Sequence, residues 1–141
     1  MTIATDYTPR DDEEDEDFAR AWIAFGQAER HSPAYNALFW AFDRMYDLVE
    51  DLPNKAWQVI LLIWSMDQSI KTVQSLSAGP IEDLLSKHGD EMIALVEAEA
   101  KRDPSFAKLL GGVWKNRMTD EVWDRVQKVW DRCGWDGIPE E

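Results

Sequence analysis

Apolar residues recur every three or four positions along most of this chain, and prolines and glycines cut the pattern into short segments. That spacing predicts amphipathic helices joined by tight connections. Phe18, Ala21, Trp22 and Phe25 open the pattern, and Ser32-Pro33 marks a second start with Ser32 as the cap. The second helix carries Tyr35, Leu38, Phe39, Phe42, Met45, Tyr46 and Val49 on one stripe, opposite Asp43, Arg44, Asp47 and Glu50. A stripe this aromatic reads as core, with the wall of a ligand pocket as the alternative. Leu52-Pro53-Asn54 breaks the chain again. The third helix, about 55–66, is apolar on nearly every side from Val59 to Trp64, so it has to be covered all round and belongs at the centre of the domain. A buried strand is the competing reading of so short a run. The helical period of Trp57, Ile60, Leu61 and Trp64 decides against it.

After a polar interruption at 67–69, Ile70, Val73 and Leu76 predict a short fourth helix. Gly79-Pro80 reads as the opening of a fifth, since proline at a first helical position gives up only an amide that is unpaired anyway. Ile81, Leu84, Leu85 and His88 share one face, Gly89 is placed for a left-handed helix end, and Asp90 for the cap of the next helix, bearing Met92, Ile93, Leu95 and Val96. Asp103-Pro104 repeats the cap-then-proline opening, and Phe106, Leu109 and Leu110 lead into Gly111-Gly112. Thr119 caps a last helix with Val122, Trp123, Val126, Val129, Trp130 and Cys133 on its apolar side; Gly134 ends it and Trp135 folds back onto it. The expectation is an all-α protein of about eight short helices in a curved, antiparallel, solenoid-like or orthogonal multi-helical single domain over 18–135. Residues 1–17 read as an acidic flexible leader and 136–141 as a tail.

At 141 residues with 45% hydrophobic composition, the chain can bury about two-thirds of its unfolded surface and fold without staples. No apolar run approaches the ~20 residues of a membrane span. The first residues lack the cationic start and apolar segment of a secretory signal. Cys133 is the single cysteine, so no internal disulfide can form and a reducing cytoplasm is expected.

Charge changes the picture most. Twenty-eight acids against 15 Lys and Arg leave a net charge of -13, which argues against direct nucleic-acid binding and for a partner protein with a basic surface. The run Asp11, Asp12, Glu13, Glu14, Asp15, Glu16 and Asp17 supplies more than half of that charge. It reads as a solvated leader, as acids suited to the N-terminus of the following helix, or as an arm for a partner's cationic groove.

Candidate chemistry is sparse. His88 lies five and six residues from Asp83 and Glu82, off the spacing at which helical side chains meet. Two histidines and one cysteine cannot build a structural metal site, and no cation-binding loop, phosphate-cradling glycine loop or nucleophile elbow is present. The sequence predicts no enzyme, no cofactor and no metal.

The segments AGPIEDLLSKHG (78–89), RDPSFAKLLGGVW (102–114) and MTDEVWDRVQ (118–127) resemble a bacterial domain family of unknown function, over roughly 53–130. The resemblance implies a shared helical fold and no mechanism. The function expected is therefore a non-enzymatic, acidic, protein-binding module, monomeric or weakly dimeric. Its most concrete form is an immunity- or inhibitor-like protein that covers a basic surface of a toxin or nuclease. A nucleic-acid-mimicking inhibitor of a DNA-binding protein and a small-molecule-sensing helical domain, with the aromatic stripe and Trp57/Trp64 lining its pocket, are the alternatives. The candidate partner-binding residues are the seven acids at 11–17 together with Glu82, Asp83, Trp114 and Trp135.

Overall fold

Capping residues decide where the helices begin. In the computed structural model, which describes residues 12–135 with side chains from Glu14 onward, Ser32 Oγ accepts from Tyr35 N at 3.1 Å and starts α2 (Pro33–Asp51). Leu52 ends α2, donating its amide to Leu48 O, and leads directly into α3 (Pro53–Met66). Asp67 and Ser69 start α4 (Ile70–Leu76): Ser69 Oγ accepts from Thr72 N, and Thr72 Oγ1 donates to Asp67 at 2.6 Å. Asp103 and Thr119 start α6 (Pro104–Leu110) and α7 (Asp120–Val129), as the sequence predicts. With α1 (Asp12–Gln27) and α5 (Glu82–Arg102) the described residues hold seven α-helices and no strand, a single all-α domain.

α3 is the hub. It packs against α1, α2, α4 and α5, and Val59, Ile60, Ile63, Trp57 and Trp64 are buried. Leu61 and Leu62 remain partly exposed, so the helix is covered on most sides rather than all round. One apolar cluster runs from Phe18 in α1 to Val126 in α7. Phe106 of α6 is fully buried and meets Trp57 and Trp64 edge-on, with centroids at 5.9 and 6.1 Å.

The structure departs from the sequence pattern at several points. α1 starts at Asp12 and not at Phe18, so the acids from Asp12 are its first turns rather than a leader. Residues 1–11 and 136–141, including Asp11 and the predicted tail, lie outside the described residues. Gly79-Pro80 does not open a helix. The chain passes from α4 to α5 without a break through a wide π-helical turn, Ser77–Ile81, with Pro80 inside it. Proline lacks the amide an α-helical ladder needs there, and a wider turn absorbs the loss. The break expected beside Gly89 is present, but Gly89 does not take the left-handed conformation. The backbone leaves helical geometry at His88 (φ -133°, ψ 36°), a kink that divides α5 into two helical segments. Gly89 is required by close approach: a Cβ there would stand 2.9 Å from Val122 Cγ2 of α7.

α7 stops at Val129, one turn earlier than the apolar pattern suggests, because the chain that follows turns back to α6. Asp131 N donates to Ala107 O at 2.9 Å and Trp135 Nε1 to Lys108 O at 2.7 Å, satisfying carbonyls that a helix C-terminus leaves open. Trp135 thus folds onto the end of α6, not onto α7. Gly111 and Gly112 make room: a Cβ on the first would run into the Asp131 carbonyl, and one on the second into the Trp135 ring.

One carboxylate ties two helices and carries a pH dependence. Asp103 Oδ1 caps α6 while Oδ2 accepts from Trp64 Nε1 of α3 at 3.1 Å, and the indole bond holds its pKa below the ordinary aspartate value. A depressed folded-state pKa contributes stability that is complete above the unfolded value and is lost as pH falls through the folded one. Wild-type stability is therefore expected to fall below about pH 4, whereas Asp103→Ala, already weaker by about 1 kcal/mol for the lost cap, falls less. Urea unfolding at a series of pH values checks this; parallel profiles for the two proteins would refute it.

Candidate functional site

The stripe expected on α2 divides: Met45 and Val49 are core, Tyr35 and Leu38 are partly buried, and the larger rings of Phe39, Phe42 and Tyr46 are exposed. Ala41, Met45, Leu48 and Val49 face inward, and Phe39, Trp40, Phe42 and Tyr46 stay 39–50% exposed. The helix buries its small and aliphatic edge against α1 and α3 and leaves its rings outward. They are not scattered singly. Phe25 of α1 touches Tyr35, Phe39 and Phe42, with ring centroids at 4.7–5.8 Å, and Arg44 lies over Trp40 at 5.1 Å. Exposed Asp43, Asp47 and Asp51 stand on the same helix.

Beside this face a cleft of about 240 Å³ opens between α1, α2 and the π-helical turn. Trp22, Phe25, Phe42, Met45, Tyr46, Val49 and Pro80 form its walls, with Ser75 and Asp83 among them. Trp57 and Trp64, assigned by the sequence to a ligand pocket, instead pack on Phe106 in the core. Gly79 is informative. It sits in helical backbone, where glycine costs ~0.5–1 kcal/mol relative to alanine. Unlike Gly89, Gly111 and Gly112, it has no steric obligation, since a Cβ there meets nothing within 4 Å. It lies on the cleft lining, where a large side chain has room to enter.

Asp83 has no hydrogen-bond or ion-pair partner among the described residues. Half-burial against apolar walls, then the neighbouring Glu82, push its pKa up, and Lys87 only partly offsets them. Lys87 itself pairs with Glu50 at 3.0 Å.

The other predicted residues scatter. Asp15 forms a half-buried ion pair with Lys55 at 2.6 Å, and Glu16 and Asp17 pair with Arg20. Glu14 is partly buried on α1, and Asp12 and Glu13 lie in the same helix. Glu82 clamps the α6–α7 connection, accepting from Trp114 N at 3.1 Å and Asn116 Nδ2 at 3.0 Å. Trp114 is 68% exposed, and Trp135 is half-buried over Gly112. His88 contacts Glu50 O at 3.2 Å and Glu91 at 3.5 Å, apart from Glu82 and Asp83. Among the described residues, no three His, Cys, Asp or Glu side chains gather as metal ligands, and no helix is long and apolar enough to cross a membrane. Phe42, Met45, Tyr46 and Val49 of the predicted stripe line the cleft, as the pocket alternative had it, whereas its α1 wall and the glycines Gly26 and Gly79 were not anticipated.

A helical domain with an outward aromatic face and an adjoining cleft is the class these features define. A family model described as a family of unknown function (DUF6869) matches residues 28–134, and the chain belongs to that family. The match begins before α2 and not at residue 53, and leaves α1 outside it. No curated protein and no solved structure matches the chain.

Proposed function

We propose that this protein is a non-enzymatic module that binds another protein through the outward face of α2. One observation carries the reading: Phe39, Trp40, Phe42 and Tyr46 stand exposed together on one helix. Large rings clustered in water mark an interaction surface, and aromatic anchors ringed by polar residues are how protein interfaces concentrate their binding energy. Asp43, Asp47 and Asp51 supply the rim, and with the net charge of -13 they favour a partner with a basic surface. This moves the contact from the acidic run to α2, because Asp15, Glu16 and Asp17 are engaged with Lys55 and Arg20. The immunity- or inhibitor-like role, with a basic toxin or nuclease surface as the target, is the finer form of the same proposal.

Immobilised wild-type protein and the Trp40→Ala and Asp43→Lys/Asp47→Lys variants, offered the same cell extract, test it. Capture of a basic protein should drop at least tenfold in each variant and decline steeply with salt. Equal capture by all three proteins would sink the reading, as would a partner retained unchanged at high salt.

A further inference from the structure

We propose that the cleft between α1, α2 and the π-helical turn binds a small arylalkylammonium ligand: an aromatic ring on a short chain ending in a protonated amine. Volume and lining set the body of the ligand. A dry cavity of ~150 Å³ takes benzene, so about 240 Å³ holds one ring with a short arm. Trp22, Phe25, Phe42 and Tyr46 offer ring faces and edges to it. Its charge follows from Asp83. Among the described residues this carboxylate has no hydrogen-bond or ion-pair partner, and none of the other residues on the lining is Lys, Arg, His, Asp or Glu. A carboxylate set against apolar walls is disfavoured until a cation reaches it, and an ammonium beside aromatic rings adds a cation–π attraction.

The charged groups around Asp83 agree with that sign. Glu82 and Glu50 are acidic, and the basic neighbour, Lys87, is held by Glu50 and leans over the Tyr46 ring at 5.8 Å. Gly79 adds the third observation: it lies on the lining, and a Cβ there would stand in open space, so a large side chain at this position has room to enter the cleft. The cleft shares Phe42 and Tyr46 with the outward face but not Trp40, and its ligand does not depend on the protein-binding reading; Trp40→Ala should leave amine binding unchanged even if it abolishes capture of a partner.

Titration of the full chain with 2-phenylethylammonium at neutral pH, followed by amide and indole NMR shifts of Gly79 and Trp22, tests the proposal. The neutral isostere 2-phenylethanol and the anion phenylacetate are the comparison ligands. The amine is expected to bind at least tenfold more tightly than the alcohol, and phenylacetate more weakly than either. Asp83→Asn should remove the preference for amine over alcohol. Gly79→Leu should abolish binding of both without lowering the unfolding midpoint; if that variant does not fold, Tyr46→Ala replaces it and should weaken both ligands. Lowering the pH should weaken the amine alone, starting above the ordinary aspartate range, because burial and then Glu82 shift the titration of Asp83 upward. Equal affinity for amine and alcohol in the wild type overturns the proposal, as does an amine unaffected by Asp83→Asn, or no shift at Gly79 or Trp22 with any of the three.

Discussion

Phe106→Ala is expected to lower the free energy of unfolding by about 3–5 kcal/mol, the largest single effect a side-chain truncation should have in this protein. Phe106 is fully excluded from water, and two tryptophans of α3 meet its ring edge-on. Truncation removes the transfer energy of the ring and both aromatic contacts. It also leaves a cavity that Trp57 and Trp64 cannot collapse into, because Trp64 is tethered to Asp103. Urea unfolding monitored by far-UV dichroism and by fluorescence measures the loss. A change under about 1 kcal/mol would mean that α6 does not pack on α3 as described.

Gly111→Ala comes next, with an expected loss of about 1–3 kcal/mol from a single added methyl. Its Cβ is directed at the Asp131 carbonyl, which is backbone and cannot rotate away. The segment after α7 has to lift, breaking the bonds from Asp131 N to Ala107 O and from Trp135 Nε1 to Lys108 O. The variant should therefore show both a lower unfolding midpoint and faster proteolysis after Val129. Gly89→Ala is the comparison. Its Cβ approaches the Val122 side chain, 2.9 Å away at the nearest, rather than backbone as at Gly111, so its loss should be smaller. A Gly111→Ala protein with wild-type midpoint and an equally protected C-terminal segment would refute the docking of that segment onto α6.

Both predictions concern contacts between segments far apart in the chain, and that is where reading the sequence stopped. Helix positions were legible, since capping and periodicity are local: Ser32, Asp103 and Thr119 cap the helices they were assigned to. The hub was legible too, because a run apolar on nearly every side has few places to go except the interior. One local rule was half right, since α5 kinks at His88 without a left-handed Gly89, and one misled. Glycine after His88 suggested a helix end, and glycine-proline at 79–80 a helix start. In the folded chain the first is a crossing point with α7, and the second lies in a widened turn of a continuing helix. Glycine marks either positive φ or close approach, and one sequence cannot separate the two.

The candidate site was the least legible part. An aromatic stripe at helical spacing reads as core by default, and the larger rings of α2 contradict the default because Ala41, Met45, Leu48 and Val49 already fill the contact with its neighbours. Which edge of an amphipathic helix turns inward depends on the shape of the opposing surfaces, a property of α1 and α3 rather than of α2. The acidic run shows the same limit: its charge was plain, whereas the pairing of Asp15 with Lys55 required α1 and α3 to lie side by side.

Local chemistry along the chain was thus sufficient for the helices, their caps, the absence of strands among the described residues and the acidic character, because each depends on neighbours within a turn or two or on a sum over residues. Packing alone settled the docking of 130–135 onto α6, the outward rings of α2, and the shape of the cleft at whose edge Asp83 has no partner among the described residues. These arise from surfaces that meet only after the helices have formed, and complementarity between distant surfaces leaves no periodic trace in the order of the residues.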